Sequence, residues 1–318
     1  MTRIHEALTK AGQEYPAAQA IDSLFQLDST RPIESESKDA PPSGIGSPRR
    51  VNILAPAATD PLELDDLRKR CSYPEWSFDP AVDVFSDQGR SALGAEQFRT
   101  LRSRLCQLRG NRPVRTILIT SAVAGEGKTF VAFNLAQAIV RQPDQRVLII
   151  DADLRCSRLH GIFGAPNALG LSDYLGGRAD ELAIIQSGHE GNLYLIPGGT
   201  RIANPSELLA NGRFKRLIER VAPLFDWIIV DSTPCLPVTD ANIAANSCDG
   251  LLLVVKAYST PAEIAQRARQ ELQDRNVLGV VFNSVQESIV SYGSYYNYPQ
   301  NGHDEVKKTQ AHRNKFRQ

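Results

Sequence analysis

From about residue 91 to 285 the chain alternates short apolar runs with longer mixed segments. The runs are Thr116–Thr120 (TILIT), Val147–Ile150 (VLII), Leu193–Ile196 (LYLI), Trp227–Val230 (WIIV), Leu251–Val255 (LLLVV) and Leu278–Phe282 (LGVVF). Each is continuous rather than alternating, as in strands covered on both faces of a parallel sheet. Between them the spacing predicts helices at 91–109, 128–141, 205–222, 239–246 and 261–274. Strand–helix alternation at this spacing predicts an α/β, doubly wound domain with a mostly parallel sheet and flanking helices.

On either side the pattern stops. Thr2–Ala11 sets Ile4, Ala7, Leu8 and Ala11 on one helical face, either a frayed terminus or a short docking helix on a tether. Between about Ser29 and Pro61, Ser, Pro, Asp and Glu dominate. A stretch such as SESKDAPPSGIGSPRR buries too little apolar surface to offset its ordering entropy. After Val285 come a tyrosine cluster and a polar, partly basic end. The expected organisation is an N-terminal short helix and disordered linker over 1–90, a domain over 91–285, and a flexible tyrosine-rich tail over 286–318.

Composition narrows the picture. Lys+Arg and Asp+Glu both number 36, so no global charge draws the chain to nucleic acid or to a membrane. The five cysteines, Cys71, Cys106, Cys156, Cys235 and Cys248, form no C-x-x-C pair. An odd count without such pairs argues for a reducing cytosol and against a disulfide framework or zinc site. The start, MTRIHEALTKAGQE, lacks the apolar run of a signal peptide. No stretch approaches the ~18–20 consecutive apolar residues of a membrane helix. The expectation is a cytoplasmic protein that reaches the membrane indirectly, through a partner.

The chemistry begins at ILITSAVAGEGKTFVAFNLAQAI, which reads as strand, loop and helix. Ser121–Thr129 follows the phosphate-loop pattern G-x-x-x-x-G-K-[ST], with Ala122 at the first glycine. Around Ala124, Gly125, Glu126 and Gly127 the backbone amides can turn toward phosphate oxygens. The N-terminus of the following helix, through Phe130, adds its partial positive charge. Lys128 would reach the β- and γ-phosphates, and the Thr129 hydroxyl would ligate Mg²⁺. The expected cofactors are therefore ATP and Mg²⁺.

Two carboxylate sites complete such a loop. VLIIDADLR places Asp151 and Asp153 just past one strand, and WIIVDSTP places Asp231 just past another. Ligands of open α/β sheets bind at these carboxyl ends. Alone, an Asp after an apolar run is often only a helix cap. Together with the phosphate loop, Asp153 and Asp231 read as metal ligands beside Thr129. Asp151 is then the first candidate to assist an attacking hydroxyl, with Asp153 second; phosphoryl transfer asks mainly for positioning. Arg155 would either neutralise charge at these acids or form a surface ion pair.

The three segments SAVAGEGKT, LIIDADLR and IIVDSTP, with NPSELLANGRF, DSTPCLPVTDANIAA and GLLLVVKAYST, resemble the bacterial tyrosine kinases (BY-kinases) of capsule and exopolysaccharide assembly. The resemblance covers most of 91–285. It implies a P-loop NTPase-like fold and an ATP-dependent protein-tyrosine kinase that regulates polysaccharide synthesis and export. Lys128, Asp151, Asp153 and Asp231 would be its catalytic groups. Tyr292, Tyr295, Tyr296 and Tyr298, four of the nine tyrosines, stand in SYGSYYNYPQ where the family autophosphorylates in trans. Glu96, Arg99 and Arg102 fit the family's E-x-x-R-x-x-R, which bridges subunits of a ring; on spacing alone they are equally a salt-bridged helix face. Asn283 resembles an adenine-side residue of related folds. Lacking the membrane helices of fused members, the chain is expected to need a separate transmembrane activator of the chain-length-regulator type. Cys156 and Ser157 depart from the Arg-Pro common after the family's D-x-D-x-R, while His160 keeps its place.

Two other readings compete. A ParA/MinD-like ATPase would carry a signature lysine where Val123 stands, and would lack the tyrosine tail. A nucleotide-gated, non-catalytic assembly factor for polysaccharide export would have no need of the intact acids and lysine.

Overall fold

The computed structural model describes residues 62–86, 92–111, 113–188 and 191–285. The predicted helix at Thr2–Ala11, the linker to Pro61, and Tyr292, Tyr295, Tyr296 and Tyr298 lie outside the described residues. In chain order the elements are α1 (Leu64–Arg70), α2 (Ala92–Asn111), β1 (Thr116–Ser121), α3 (Lys128–Val140), β2 (Val147–Asp151), α4 (Leu159–Phe163), α5 (Leu171–Leu175), β3 (Gln186–Ser187), β4 (Leu193–Ile196), α6 (Pro205–Ala210), α7 (Arg213–Val221), β5 (Trp227–Asp231), α8 (Asp240–Ala245), β6 (Gly250–Lys256), α9 (Ala262–Glu271) and β7 (Val277–Asn283).

They build one seven-stranded sheet in the order β3-β4-β2-β5-β1-β6-β7. All neighbours are parallel except β3, which runs antiparallel to β4. Along the central strands successive side chains enter opposite layers, as the two-residue period requires. Leu148, Ile150, Ile228 and Val230 enter one core with α6, α7 and α8 beneath it. Val147, Ile149, Trp227 and Ile229 enter the other, against α3. Covered on both faces, β1, β2 and β5 are buried throughout. Their carboxyl ends meet at one edge of the sheet, where β5 lies between the other two.

Besides the five-residue helices α4 and α5, too short for the spacing to predict, three features differ from the expected pattern. The helix expected at 205–222 is broken into α6 and α7, because Gly212 takes a left-handed φ of 81° and Asn211 Oδ1 accepts the Arg213 amide at 2.9 Å. The strand β3, two residues long, is too short for any periodicity to reveal.

The third difference concerns the expected boundary at residue 90. Residues 62–86 are part of the packed body. Leu67 and Cys71 are buried in the first core. The backbone of Ser72 then pairs at the sheet edge, accepting Ser187 N–H at 2.8 Å and donating to Ile185 O at 3.1 Å. Beyond that edge, Trp76 and Phe78 meet Phe163 edge-on, with ring centroids 4.9 and 5.3 Å apart, in the second core. The segment ends on α3: buried Asn134 donates to Val82 O at 2.9 Å and accepts the Val84 amide at 3.1 Å. Leu64, Leu67 and Cys71 share one helical face, but the helix is only seven residues long and the rest of the segment has no period, which is why the pattern alone assigns it to the leader. Among the described residues no helix is long and apolar enough to cross a membrane.

Candidate active site

The phosphate loop leaves β1 at Ser121 and enters α3 at Lys128. Gly127 caps α3 with φ 92°, and a Cβ there would come within 2.0 Å of Asn283 Nδ2. Only glycine meets both conditions. Ala124 and Gly125 lie exposed at the rim. Phe130 turns its ring to Phe98 of α2, with centroids 5.8 Å apart, so what it offers a phosphate is backbone.

Glu126 is different in kind from its neighbours. Its side chain is buried and serves as an internal brace. One oxygen accepts Val123 N–H at 2.7 Å. The other accepts Lys256 N–H at 3.3 Å and the Thr260 hydroxyl. Asn283 braces the same residue from β7, donating to Glu126 O at 2.8 Å, while its own Oδ1 accepts Ser284 N–H at 2.9 Å. The loop is thus held from behind by the ends of β6 and β7, and Glu126 and Asn283 spend their side chains on protein contacts.

The acids converge as expected. Asp151 and Asp231 are opposite each other in the register of β2 and β5, and Asp231 also faces Ile119 of β1. Lys128 Nζ lies 3.5 Å from Asp153 Oδ2, both side chains being nearly buried. Asp153 Oδ1 also accepts the Cys156 amide at 3.0 Å. Asp151 Oδ2 accepts three donors, Ser157 Oγ at 2.7 Å and the Arg158 and Leu159 amides at 3.0 Å each. Arg155 turns away from these acids. It pairs with buried Asp240, Nε to Oδ2 at 2.7 Å, and reaches Ser206 Oγ at 2.9 Å, tying the segment after β2 to α6 and α8.

Electrostatically the site holds three acids against one lysine. Neither carboxylate oxygen of Asp231 has a hydrogen-bond partner, nor does Asp151 Oδ1, and all three are buried. Burial first, then the charge of Asp151, holds the Asp231 carboxyl above the ordinary aspartate range. Lys128, and the Thr129 hydroxyl standing near it outside hydrogen-bond geometry, offset this only in part. Burial likewise raises Asp151, against the hydrogen bonds from Ser157 and the two amides. Orphaned carboxylate oxygens beside a threonine hydroxyl fit a hard divalent cation that takes oxygen ligands, as Mg²⁺ does.

The helix motif divides. Glu96 and Arg99 form an exposed pair at 3.1 Å on α2. Arg102 instead turns inward and donates to Ala138 O of α3 at 2.7 Å.

Comparison with known proteins agrees with this geometry. The family described as AAA domain matches residues 114–266. Tyrosine-protein kinase CpsD of Streptococcus agalactiae is 36% identical over 221 residues, which span 68% of this chain and 95% of that protein. Tyrosine-protein kinase YwqD of Bacillus subtilis is 34% identical over 212 residues, 66% of this chain and 89% of that one. Among solved structures, the kinase domain of Escherichia coli tyrosine kinase ETK is 36% identical with a TM-score of 0.58, covering 60% of this chain and 75% of that one. With its phosphate loop and both aspartate segments at adjoining strand ends, the chain belongs to the bacterial tyrosine-protein kinase family.

Proposed function

We propose that this chain is an ATP-dependent protein-tyrosine kinase that phosphorylates Tyr292, Tyr295, Tyr296 and Tyr298 of a neighbouring subunit. The observation that carries the reading is the convergence of Lys128, Asp151, Asp153 and Asp231 on one strand-end cluster behind a phosphate loop. A simple nucleotide clamp has no use for a third acid with a buried oxygen left without a protein partner.

In this reading the loop amides and the start of α3 cradle the phosphates, and Lys128 leaves Asp153 to reach the β- and γ-phosphates. Thr129, Asp153 and Asp231 would hold Mg²⁺. The ion, when bound, supplies charge neutralisation at the phosphate oxygens. Asp151, with Oδ1 unengaged, accepts the proton of the attacking phenol, whose ordinary pKa is about 10. Low-dielectric surroundings strengthen these interactions.

The wider setting follows from the family. Subunits assemble into a ring in which Glu96 and Arg99 of α2 face the next subunit, and Arg102 supports that helix from inside. A separate transmembrane activator recruits the kinase to the inner face of the plasma membrane, and phosphorylation of the tail regulates capsular or exopolysaccharide synthesis and export.

The test uses protein purified together with its transmembrane activator, with ATP and Mg²⁺, a Lys128→Met variant, and a variant with the four tail tyrosines changed to phenylalanine. Mixing the last, active but lacking acceptors, with Lys128→Met should put phosphate on the tail of Lys128→Met. No transfer in that mixture, with transfer in the wild type, would refute exchange between subunits; no tyrosine phosphate in either would refute the kinase.

A further inference from the structure

Asp151 is held by one side-chain donor as well as by backbone. Of the three donors on its Oδ2, two are backbone amides that any side chain at 158 or 159 would leave in place. The third is the Ser157 hydroxyl at 2.7 Å, from the position where the family pattern commonly carries proline. Proline has no such donor. A carboxylate with donors crowded on one oxygen has one preferred orientation, and here it leaves Oδ1 buried and unengaged.

Ser157 is itself confined on two sides. Its Oγ stands 3.3 Å from His160 Nδ1. An ionised carboxylate only accepts, so the single serine proton goes to Asp151 and the serine lone pair receives the imidazole Nδ1–H. On the other side is Gly198, where a Cβ would come within 2.6 Å of Ser157 Oγ. Gly198 is fixed in turn. Its carbonyl accepts Ser172 N–H at 3.0 Å, and Thr200, two residues on, is bound by buried Asp173 through its amide at 3.1 Å and its hydroxyl at 2.9 Å. Gly170 N and Arg178 complete the hydrogen bonds of Asp173. The serine hydroxyl therefore has little freedom to point anywhere but at Asp151.

We propose that Ser157, held between His160 and Gly198, is a positioning residue that fixes the orientation of Asp151 and keeps Oδ1 available to the acceptor hydroxyl. This rests on the reading of Asp151 as the group that assists the acceptor. Residues that lock a reacting group through a hydrogen bond affect rate through that group alone, and a small misorientation costs about ten- to a hundredfold.

The experiment compares full-length wild type, Ser157→Ala, Asp151→Asn and the double variant for turnover in tyrosine phosphorylation, ATP affinity and Tm. Ser157→Ala should slow turnover about tenfold with ATP affinity unchanged, while Tm falls only as far as the loss of one buried hydrogen bond requires. The double variant should be no slower than Asp151→Asn alone, because Ser157 acts through Asp151. Wild-type turnover in Ser157→Ala, losses that multiply in the double variant, or a matching loss of ATP affinity would overturn the role of Ser157 while leaving the kinase reading intact. A wild type that phosphorylates no tyrosine with its transmembrane activator present would overturn both.

Discussion

Asp151 of β2 and Asp231 of β5 stand directly opposite each other at the ends of adjacent strands, with three of their four carboxylate oxygens buried and without hydrogen-bond partners. Two acids so placed oppose each other's ionisation, and burial penalises both. The fold is therefore under electrostatic tension until a cation arrives.

The tension predicts a pH dependence. A carboxyl whose folded pKa lies above its unfolded value of about 3.9 contributes stability that is fully present below that value and lost as pH rises through the folded pKa. The pair's contribution to the stability of metal-free protein should therefore fall as pH climbs through the folded pKa values, and Asp231→Asn should lose less than wild type over that range. At neutral pH Asp231→Asn should be the more stable protein by about 1–2 kcal/mol, the usual trade of stability for function at a charged site. Denaturant unfolding of both proteins across pH, with and without Mg²⁺ and ATP, checks this; parallel curves would mean the pair carries no such tension.

The brace behind the phosphate loop gives a second expectation. Glu126→Ala leaves the Val123 and Lys256 amides without their buried acceptor. Such a loss costs about 1–3 kcal/mol. Tm should fall and ATP affinity with it, although the Glu126 side chain is not aimed at a phosphate. Calorimetric titration with ATP measures the second effect.

Arg99 and Arg102 should separate. Arg99 sits in an exposed i,i+3 pair, worth a few tenths of a kcal/mol. Arg99→Ala should leave Tm in place while lowering oligomer mass by light scattering. Arg102 holds the Ala138 carbonyl across the α2–α3 contact. Arg102→Ala should lower Tm as well, so a loss of assembly in that variant is not by itself evidence for a contact between subunits.

The segment before α2 makes a fourth expectation. Leu67 is fully buried. Leu67→Ala should cost about 2–4 kcal/mol, as for a core leucine. A change within about 0.5 kcal/mol, as for a surface position, would return residues 62–86 to the leader.

The six longer strands and the site aspartates were legible because both depend on local pattern. Continuous apolar runs mark buried parallel strands, and an acid at the end of such a run falls at the ligand-binding edge. What was not legible depends on contacts between distant segments. Glu126 reads as one more loop residue until Lys256 and Thr260 are seen around it. Arg155 reads either as a partner for its neighbouring acids or as an ion pair elsewhere; Asp240, 85 residues on, is the partner it takes. The departure at Ser157 was visible in the sequence, but its meaning needed Gly198 on one side and His160 on the other. Residues 62–86 escaped because their one helix is seven residues long and the stretch after it, packed along an edge, has no period of its own.

The central claim is that Lys128 and the three aspartates put phosphate on the tail. Mapping phosphotyrosine by mass spectrometry on the protein isolated from its own cells tests this with any activator present. The account predicts phosphate within Tyr292–Tyr298 of the wild type and none there in Lys128→Met expressed as the sole copy. Unmodified tail tyrosines in the wild type, or the same modification in Lys128→Met, would contradict it.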